Sequence, residues 1–332
     1  MKPFRLLINI SALLALVVIA LGAYTRLTDA GLGCPDWPGC YGSLTIPHSE
    51  AHIAAAQVNF PNSVVELYKA RNEMLHRYLA GSLGLCIAAI FFLSFWLQQQ
   101  RWLSSALLLL VIFQAALGMW TVTFNLLPLV VVAHLFGGFS IFALLMTLRL
   151  NLNKKIASIH EPQLVRLRPL ASVALAVLLL QILMGGWTSA NYAALVCHQL
   201  PFCEAGWEEN FSLASAVHLP LGHETYEYGV MPYEGRMSVH VLHRMGALLT
   251  LCTLVLFGYF AWRSTQQRQL RRQILLLLFL LLLQITLGLI NILSLLPLWN
   301  AVAHNLVAAN LLMVLWLWVY RLYRADSPPV NV

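Results

Sequence analysis

Apolar positions along the chain fall in long unbroken runs rather than in strand-like alternation. A membrane-spanning helix needs about 20 predominantly apolar residues, and eight stretches qualify, at approximately 6–25, 72–97, 103–124, 129–149, 169–189, 238–262, 274–296 and 299–321. Runs of this kind predict helices, because a spanning barrel strand is shorter and alternates apolar with polar residues. Lys2 to Arg5 followed by an apolar run has the outline of a cleavable signal peptide. The run from Leu6 to Tyr24 is long and continues directly into a polar motif, so it reads as a retained first span. Between spans the polar segments alternate: two long loops at 26–71 and 190–237, and two minimal ones at 125–128 and 297–298.

Composition sharpens this picture. The chain has 332 residues, 60% hydrophobic and 10% charged, with a mean hydropathy of +0.74, where a soluble domain carries about 25% charged residues. A soluble globular enzyme is thereby excluded, and the lipid bilayer is the first partner. The net charge of +7 comes without basic runs interleaved with aromatics, so nucleic acid is not a partner. Topology accounts for the charge instead. With the N-terminus inside, 14 of the 20 Lys and Arg residues but only two acids, Glu161 and Asp326, fall on the inner side. Cations are held back on the cytoplasmic side during insertion, which places both termini in the cytoplasm.

The loop alternation predicts two four-helix halves, and the motifs keep register between them. Glu73-Met-Leu-His76-Arg77 opens the second span and His240-Val-Leu-His243-Arg244 the sixth. Gln114 and Gly118 in the third span match Gln284 and Gly288 in the seventh, each Gln lying 20 residues before a histidine, His134 or His304. The fold class expected is an all-α polytopic membrane protein of eight transmembrane helices. It forms two parallel-repeat four-helix bundles related by a pseudo-two-fold along the membrane normal. The divisions are 1–150 for the N-terminal half, 151–168 for a cytoplasmic linker, 169–324 for the C-terminal half and 325–332 for a cytoplasmic tail.

His76, His134, His243 and His304 each lie about five residues into an even-numbered span from its outer end. At 1.5 Å per residue that is roughly 8 Å below the boundary, one common layer. Ionisable groups inside a membrane are costly and face a bundle interior or a cavity. Two imidazoles on facing helices can ligate one haem iron axially, which gives one haem site per half. Hydrogen bonding between helices is the simpler alternative. A tetrahedral zinc or copper site would need all four rings together, whereas they belong to two halves.

Glu73 lies one helical turn before His76, on the same face. It can act as a proton acceptor beside a redox centre or pair with Arg71 or Arg77. The second half has His240 there, an asymmetry that suggests chemistry at one site and electron carriage at the other. Arg77 and Arg244 follow the ligand candidates and can hold haem propionates or snorkel to the interface. Cys34, Cys40, Cys197 and Cys203 form two Cys-x5-Cys pairs in outer loops, where an oxidising compartment permits disulfides. We expect Cys34 paired with Cys40 and Cys197 with Cys203, as structural links, with a redox-active or metal-binding thiol pair as the alternatives. Cys86 and Cys252 read as small packing residues within helices. His48, Glu50 and His52 could place a metal on one helical face but lack a further ligand. His198, His218 and His223 read as loop residues, and the Gln and Gly residues of the third and seventh spans as helix packing.

Thr25-Arg26-Leu27-Thr28-Asp29-Ala30-Gly31-Leu32-Gly33-Cys34-Pro35-Asp36-Trp37-Pro38-Gly39-Cys40, Glu-x-x-His-Arg at 73–77, Gly185-Gly186-Trp187-Thr188, His243-Arg244 and the two late histidines together resemble the bacterial haem A synthase family. The resemblance runs from the first span through the eighth. It implies oxidation of a ring methyl of haem O to a formyl group, through an alcohol and a gem-diol, to give haem A for haem-copper terminal oxidases. It implies His76 and His134 as ligands of the substrate haem, Glu73 as catalytic carboxylate, and His243 and His304 as ligands of a haem b cofactor. The location implied is the bacterial inner membrane, with the haem sites near the outer face. Haem O synthase and oxidase assembly factors are the implied protein partners, and a homo-oligomer is compatible with this kind of chain. The loop from Glu204 to Tyr233 takes no role from the resemblance. The competing readings are a non-catalytic dihaem b-type cytochrome between quinone and a periplasmic partner, and a haem carrier or insertion chaperone. A transporter fits less well, since neither half shows a span interrupted by Gly or Pro at the midplane.

Overall fold

The computed structural model describes residues 2–153, 159 and 161–324. Part of the expected linker, 154–158 and 160, and the expected tail, 325–332, lie outside them. The described residues form helices throughout, in the order α1 (Lys2–Leu27), α2 (Glu50–Asn59), α3 (Leu67–Trp96), α4 (Arg101–Thr123), α5 (Pro128–Asn151), α6 (Pro162–Val165), α7 (Arg168–Ala190), α8 (Trp207–Asn210), α9 (Leu213–Val217), α10 (Tyr233–Ser264), α11 (Arg268–Leu293) and α12 (Leu298–Tyr323). Eight of these are long and apolar enough to cross a membrane, and they coincide with the eight expected spans. Their ends differ where polar residues can continue a helix beyond the apolar run. α3 and α10 begin at Leu67 and Tyr233, each five residues before the expected start. The second and sixth spans therefore project further into the loop regions than hydropathy indicates.

The packing follows one scheme in each half. α1, α3, α4 and α5 close a ring, as do α7, α10, α11 and α12. α1 and α5 pack on α12, and α5 also packs on α7, so the halves meet along two central pairs. At the end carrying both termini the bundle is solid. Phe4, Ile8, Ile87, Leu145, Phe257, Leu315 and Trp318 belong to one buried cluster reaching into every span. Trp316 Nε1 donates to Thr147 Oγ1 at 2.9 Å and Tyr320 Oη to Asn151 Oδ1 at 2.9 Å, tying α12 to α5 there. Hydrogen bonds between helices in a low-dielectric interior fix register as well as adding stability.

At the opposite, loop end the two long connections fold down over the bundle. Both cysteine pairs are disulfides, Cys34–Cys40 and Cys197–Cys203, as the sequence predicts. α2 is capped by Ser49, whose side chain accepts the His52 N–H. The second loop carries α8 and α9, and Trp187 Nε1 donates to Ala216 O at 2.9 Å to hold α9 down. Further on, the Tyr226 N–H donates to Asn125 O and Asn125 Nδ2 to Glu224 O, so this loop reaches the short α4–α5 turn of the other half. Both free cysteines lie within helices, Cys86 half-buried on α3 and Cys252 exposed on α10.

Two outcomes check this fold. A Cβ on Gly137 would collide with the Gln114 side chain, while one on Gly138 meets nothing within 4 Å. Gly137→Ala should therefore cost about 1–3 kcal/mol of stability and Gly138→Ala at most about 0.5 kcal/mol, read as thermal unfolding in detergent. Under denaturing, non-reducing conditions an alkylating reagent should add only to Cys86 and Cys252, and after reduction to all 6 cysteines, read from the intact mass.

Candidate functional site

Each of the four histidines sits against a glycine of the preceding span. A Cβ at Gly22 on α1 would lie 3.0 Å from His76 Cε1, and one at Gly185 on α7 would lie 3.0 Å from His243 Cε1. The same relation joins Gly118 on α4 to His134 at 3.5 Å and Gly288 on α11 to His304 at 3.3 Å. An imidazole approaches a helix this closely most easily where no side chain intervenes, so the glycines help to fix where each ring goes. Gly118 and Gly288, expected as plain packing residues, are thus parts of the histidine seats.

His76 and His134 come together, with ring centroids 6.4 Å apart and planes inclined at 79°. An imidazole nitrogen binds a first-row metal at about 2.0–2.1 Å and lies roughly 1 Å from its ring centre, so two rings on opposite sides of one ion have centres about 6 Å apart. The spacing fits. His243 and His304 line one cavity of about 640 Å³ at the loop end of the C-terminal half, within the usual range for a small-molecule site. Its walls are mostly apolar, from residues such as Leu135, Phe139 and Leu178. Gln181 Nε2 lies 3.1 Å from His243 Nδ1 and donates to His243 O, while Gln284 Nε2 lies 3.1 Å from His304 Nε2. The Nδ1 atoms of His76, His134 and His304 are buried without a protein partner. A buried nitrogen left so costs about 1–3 kcal/mol unless a ligand satisfies part of the ring. His243 and His304, each held at one ring nitrogen by a glutamine amide, suit a metal macrocycle at the other.

Glu73 is 5% exposed and serves the adjacent loop. Its Oε2 accepts the Cys34 N–H at 2.9 Å, and its Oε1 is ion-paired with Arg77. Of the two pairing partners expected, Arg77 is the one used. Arg77 also donates to Asp36 O at 2.9 Å and to Pro38 O and Gly39 O, while Asp36 turns back to accept the Tyr41 and Gly42 N–H groups. Gly33 lets this loop touch α3, since a Cβ there would lie 2.5 Å from the Lys69 carbonyl carbon. The second half repeats the device: Arg244 donates to Cys197 O, Gln199 O and Phe202 O, each at 2.6 Å. Both arginines, expected to face propionates or solvent, thus spend donors on carbonyls that the disulfide turns inward.

The halves differ in what balances the arginine. Where Glu73 pairs with Arg77, the C-terminal half has His240, buried, with Nδ1 unpartnered. Arg244 is 7% exposed, its Nε has no partner, and no carboxylate among the described residues lies within 4 Å of it. The loop acid Glu204 instead accepts the His198 N–H at 2.8 Å. Burial raises the Glu204 carboxyl, but the backbone N–H groups it accepts outweigh this and hold it below the usual carboxylate range.

Other expected groupings do not form. His48 precedes the Ser49 cap, so it does not share a helical face with His52, although their rings touch edge to face at 4.5 Å. Among the described residues one trio, Cys197, Cys203 and Glu204, lies within ligand distance, but both sulfurs are in a disulfide, which removes the thiol-pair metal reading. His198 and His223 are in loops and His218 follows α9. Gln181 and Arg26 were not singled out by their sequence signals, although Arg26 is an outer-side cation beside an apolar span and Gln181 an amide within one.

The profile of a family described as cytochrome oxidase assembly protein matches residues 5–316. The chain is 46% identical to the haem A synthase of Shewanella oneidensis over 328 residues, covering 98% of each protein. It is 26% identical to that of Sphingopyxis alaskensis, covering 95% of this chain and 91% of the relative. It is 29% identical to that of Bradyrhizobium diazoefficiens, covering 98% and 94%. A match that runs through all eight spans, with a relative 46% identical over nearly the whole length, leads to one conclusion: the chain belongs to the cytochrome oxidase assembly protein family.

Proposed function

We propose that this protein is a haem A synthase, an oxidoreductase that converts a ring methyl of haem O to a formyl group for haem-copper terminal oxidases. What carries the reading is the pairing of intramembrane histidines on glycine seats in a chain 46% identical, over 98% of its length, to a haem A synthase. His76 and His134 take the substrate haem O, and His243 and His304 the iron of a resident haem b. When bound, haem b supplies a one-electron redox centre. The protein lies in the bacterial inner membrane with both termini cytoplasmic and the haem sites near the outer face, receives haem O from its synthase and serves oxidase assembly factors. The halves, 1–150 and 169–324, are related by a pseudo-two-fold along the membrane normal. Support for that axis comes from the matching helix rings and from hydrogen bonds joining residues 163 positions apart, Arg26 to Ser189 and Tyr192 to Asp29.

Chemistry belongs to the N-terminal half because that half holds the carboxylate. Oxidising a methyl carbon removes hydrogen, so a proton acceptor, or a negative charge facing the developing positive carbon, lowers the barrier. Glu73 is one turn from His76. Arg77 and the Cys34 N–H hold its two oxygens, fixing its orientation while leaving further lone pairs for a proton. The disulfide loop closes this side against water and so keeps the local dielectric low. Of the two arginines, Arg244 is the one placed to take a propionate, through its free Nε; Arg77 is already neutralised by Glu73. A dihaem electron-transfer cytochrome would hold ordinary haem b in both sites, and the difference between the Glu73 and His240 environments argues against that.

Glu73→Gln should keep the shape of the site but lower haem A formation by about 10²-fold or more, measured as haem A extracted from membranes that co-express a haem O source; normal haem A would remove Glu73 from the reaction. In purified protein, His76→Ala should lose haem O and haem A while keeping haem B, and His243→Ala the reverse, by mass identification of the extracted haems. Haem B alone from both halves, with no haem A formed, would favour the dihaem cytochrome.

A further inference from the structure

The C-terminal cavity is not built by the C-terminal half alone. Arg26, at the end of α1 in the N-terminal half, lines it together with Arg244, His243 and His304. The guanidinium is held by three contacts. Its Nη2 donates to Ser189 O at 2.7 Å, its carbon lies 3.9 Å above the centre of the Tyr192 ring, and its Nη1 is 3.6 Å from Asp29 Oδ1. Tyr192 Oη donates to the same Asp29 oxygen at 3.2 Å. Burial pushes the Tyr192 phenol up, which keeps it a neutral donor. These contacts stiffen a side chain that is only 16% exposed, so little rotamer freedom remains to be lost on binding.

The donors left over set what this rim can bind. A guanidinium has five N–H groups. Arg26 commits one to a carbonyl and one, loosely, to a half-exposed carboxylate, leaving the others available. Arg244 commits three to carbonyls and has a buried, unpartnered Nε with no carboxylate in ion-pair distance. Two cations thus line one mostly apolar cavity, with Asp29 as the single acid among its lining residues. The complementary ligand is a flat apolar body with two carboxylates on one edge. The corresponding positions of the N-terminal half differ: Arg77 is neutralised by Glu73, and the residue 163 positions after Arg26 is Ser189.

We propose that Arg26 is a binding residue of the C-terminal site, contributed across the interface between halves, which with Arg244 holds the two propionates of the haem between His243 and His304. This rests on the assignment of haem b to that half. The test uses full-length protein purified with its haems, or reloaded with haem B or haem B dimethyl ester, and follows haem release into excess apomyoglobin. Arg26→Gln should release haem B about tenfold faster or more, the loss of one charged hydrogen bond, while haem O on the N-terminal half leaves at the wild-type rate. Haem B dimethyl ester, which lacks the carboxylates, should leave wild type and Arg26→Gln at equal rates. Unchanged haem B release overturns the proposal, and so does equal acceleration of haem B and its ester, which would make Arg26 a structural clasp. Arg26→Lys keeps the charge without the planar fork; it should be intermediate, and supplies the same comparison if the glutamine variant does not fold. If His243→Ala keeps haem B at the wild-type content and rate, the haem b assignment fails independently of Arg26.

Discussion

Four imidazole rings approach glycines on four neighbouring helices through Cε1, and much of the loop end is arranged around that contact. The preceding span carries glycine at each point of approach: a Cβ at Gly22, Gly185 or Gly288 would crowd the ring, and one at Gly118 would just touch it. The contact draws α3 to α1, α5 to α4, α10 to α7 and α12 to α11, the same neighbours that close each ring of four helices. Beside His243 and His304 the bundle keeps a cavity, whereas the termini end packs solid. The solid cluster around Leu145 and Trp318 and the cavity beside His243 are two consequences of where large apolar and ring side chains fall along the same helices.

The buried arginines are the second organising feature. A guanidinium beneath a loop needs acceptors, and a short disulfide-closed turn presents several carbonyls from one direction. Arg77 and Arg244 take these, so each disulfide contributes by shaping an acceptor set as well as by shortening the unfolded chain. The charge balance then separates the halves. Glu73 compensates Arg77 inside the N-terminal site, whereas Arg244 keeps an unbalanced charge, with Arg26 nearby from the other half. Two helix rings packed alike thereby differ in charge, one holding a buried carboxylate–arginine pair and the other a buried arginine without a carboxylate among the described residues, and this difference is the physical basis of the proposed division between substrate and resident cofactor.

Some of this was legible in the residues. Span number and order followed from hydropathy, because a bilayer penalises any unsatisfied backbone and leaves helices as the one economical solution for such runs. The cysteine pairs followed from spacing and compartment. The helix starts at Leu67 and Tyr233 did not, since those turns are polar and a helix above the apolar layer obeys local propensity rather than hydropathy. Nor did the partners of Arg77 and Arg244: backbone carbonyls carry no residue-type signal.

The sequence by itself determined the eight spans, the repeated histidines and cysteines, and the Glu73-for-His240 exchange, because each is a matter of residue type at a fixed spacing along one helix or loop. Tertiary structure decided which glycine seats which ring, that Glu73 is tied to Cys34 and Arg77, and that Arg26 lines the cavity beside His243 and His304. These relations join residues up to 163 positions apart, as between Arg26 and Ser189. They depend on how helices lean together across an interface, and periodicity within a single helix does not encode that.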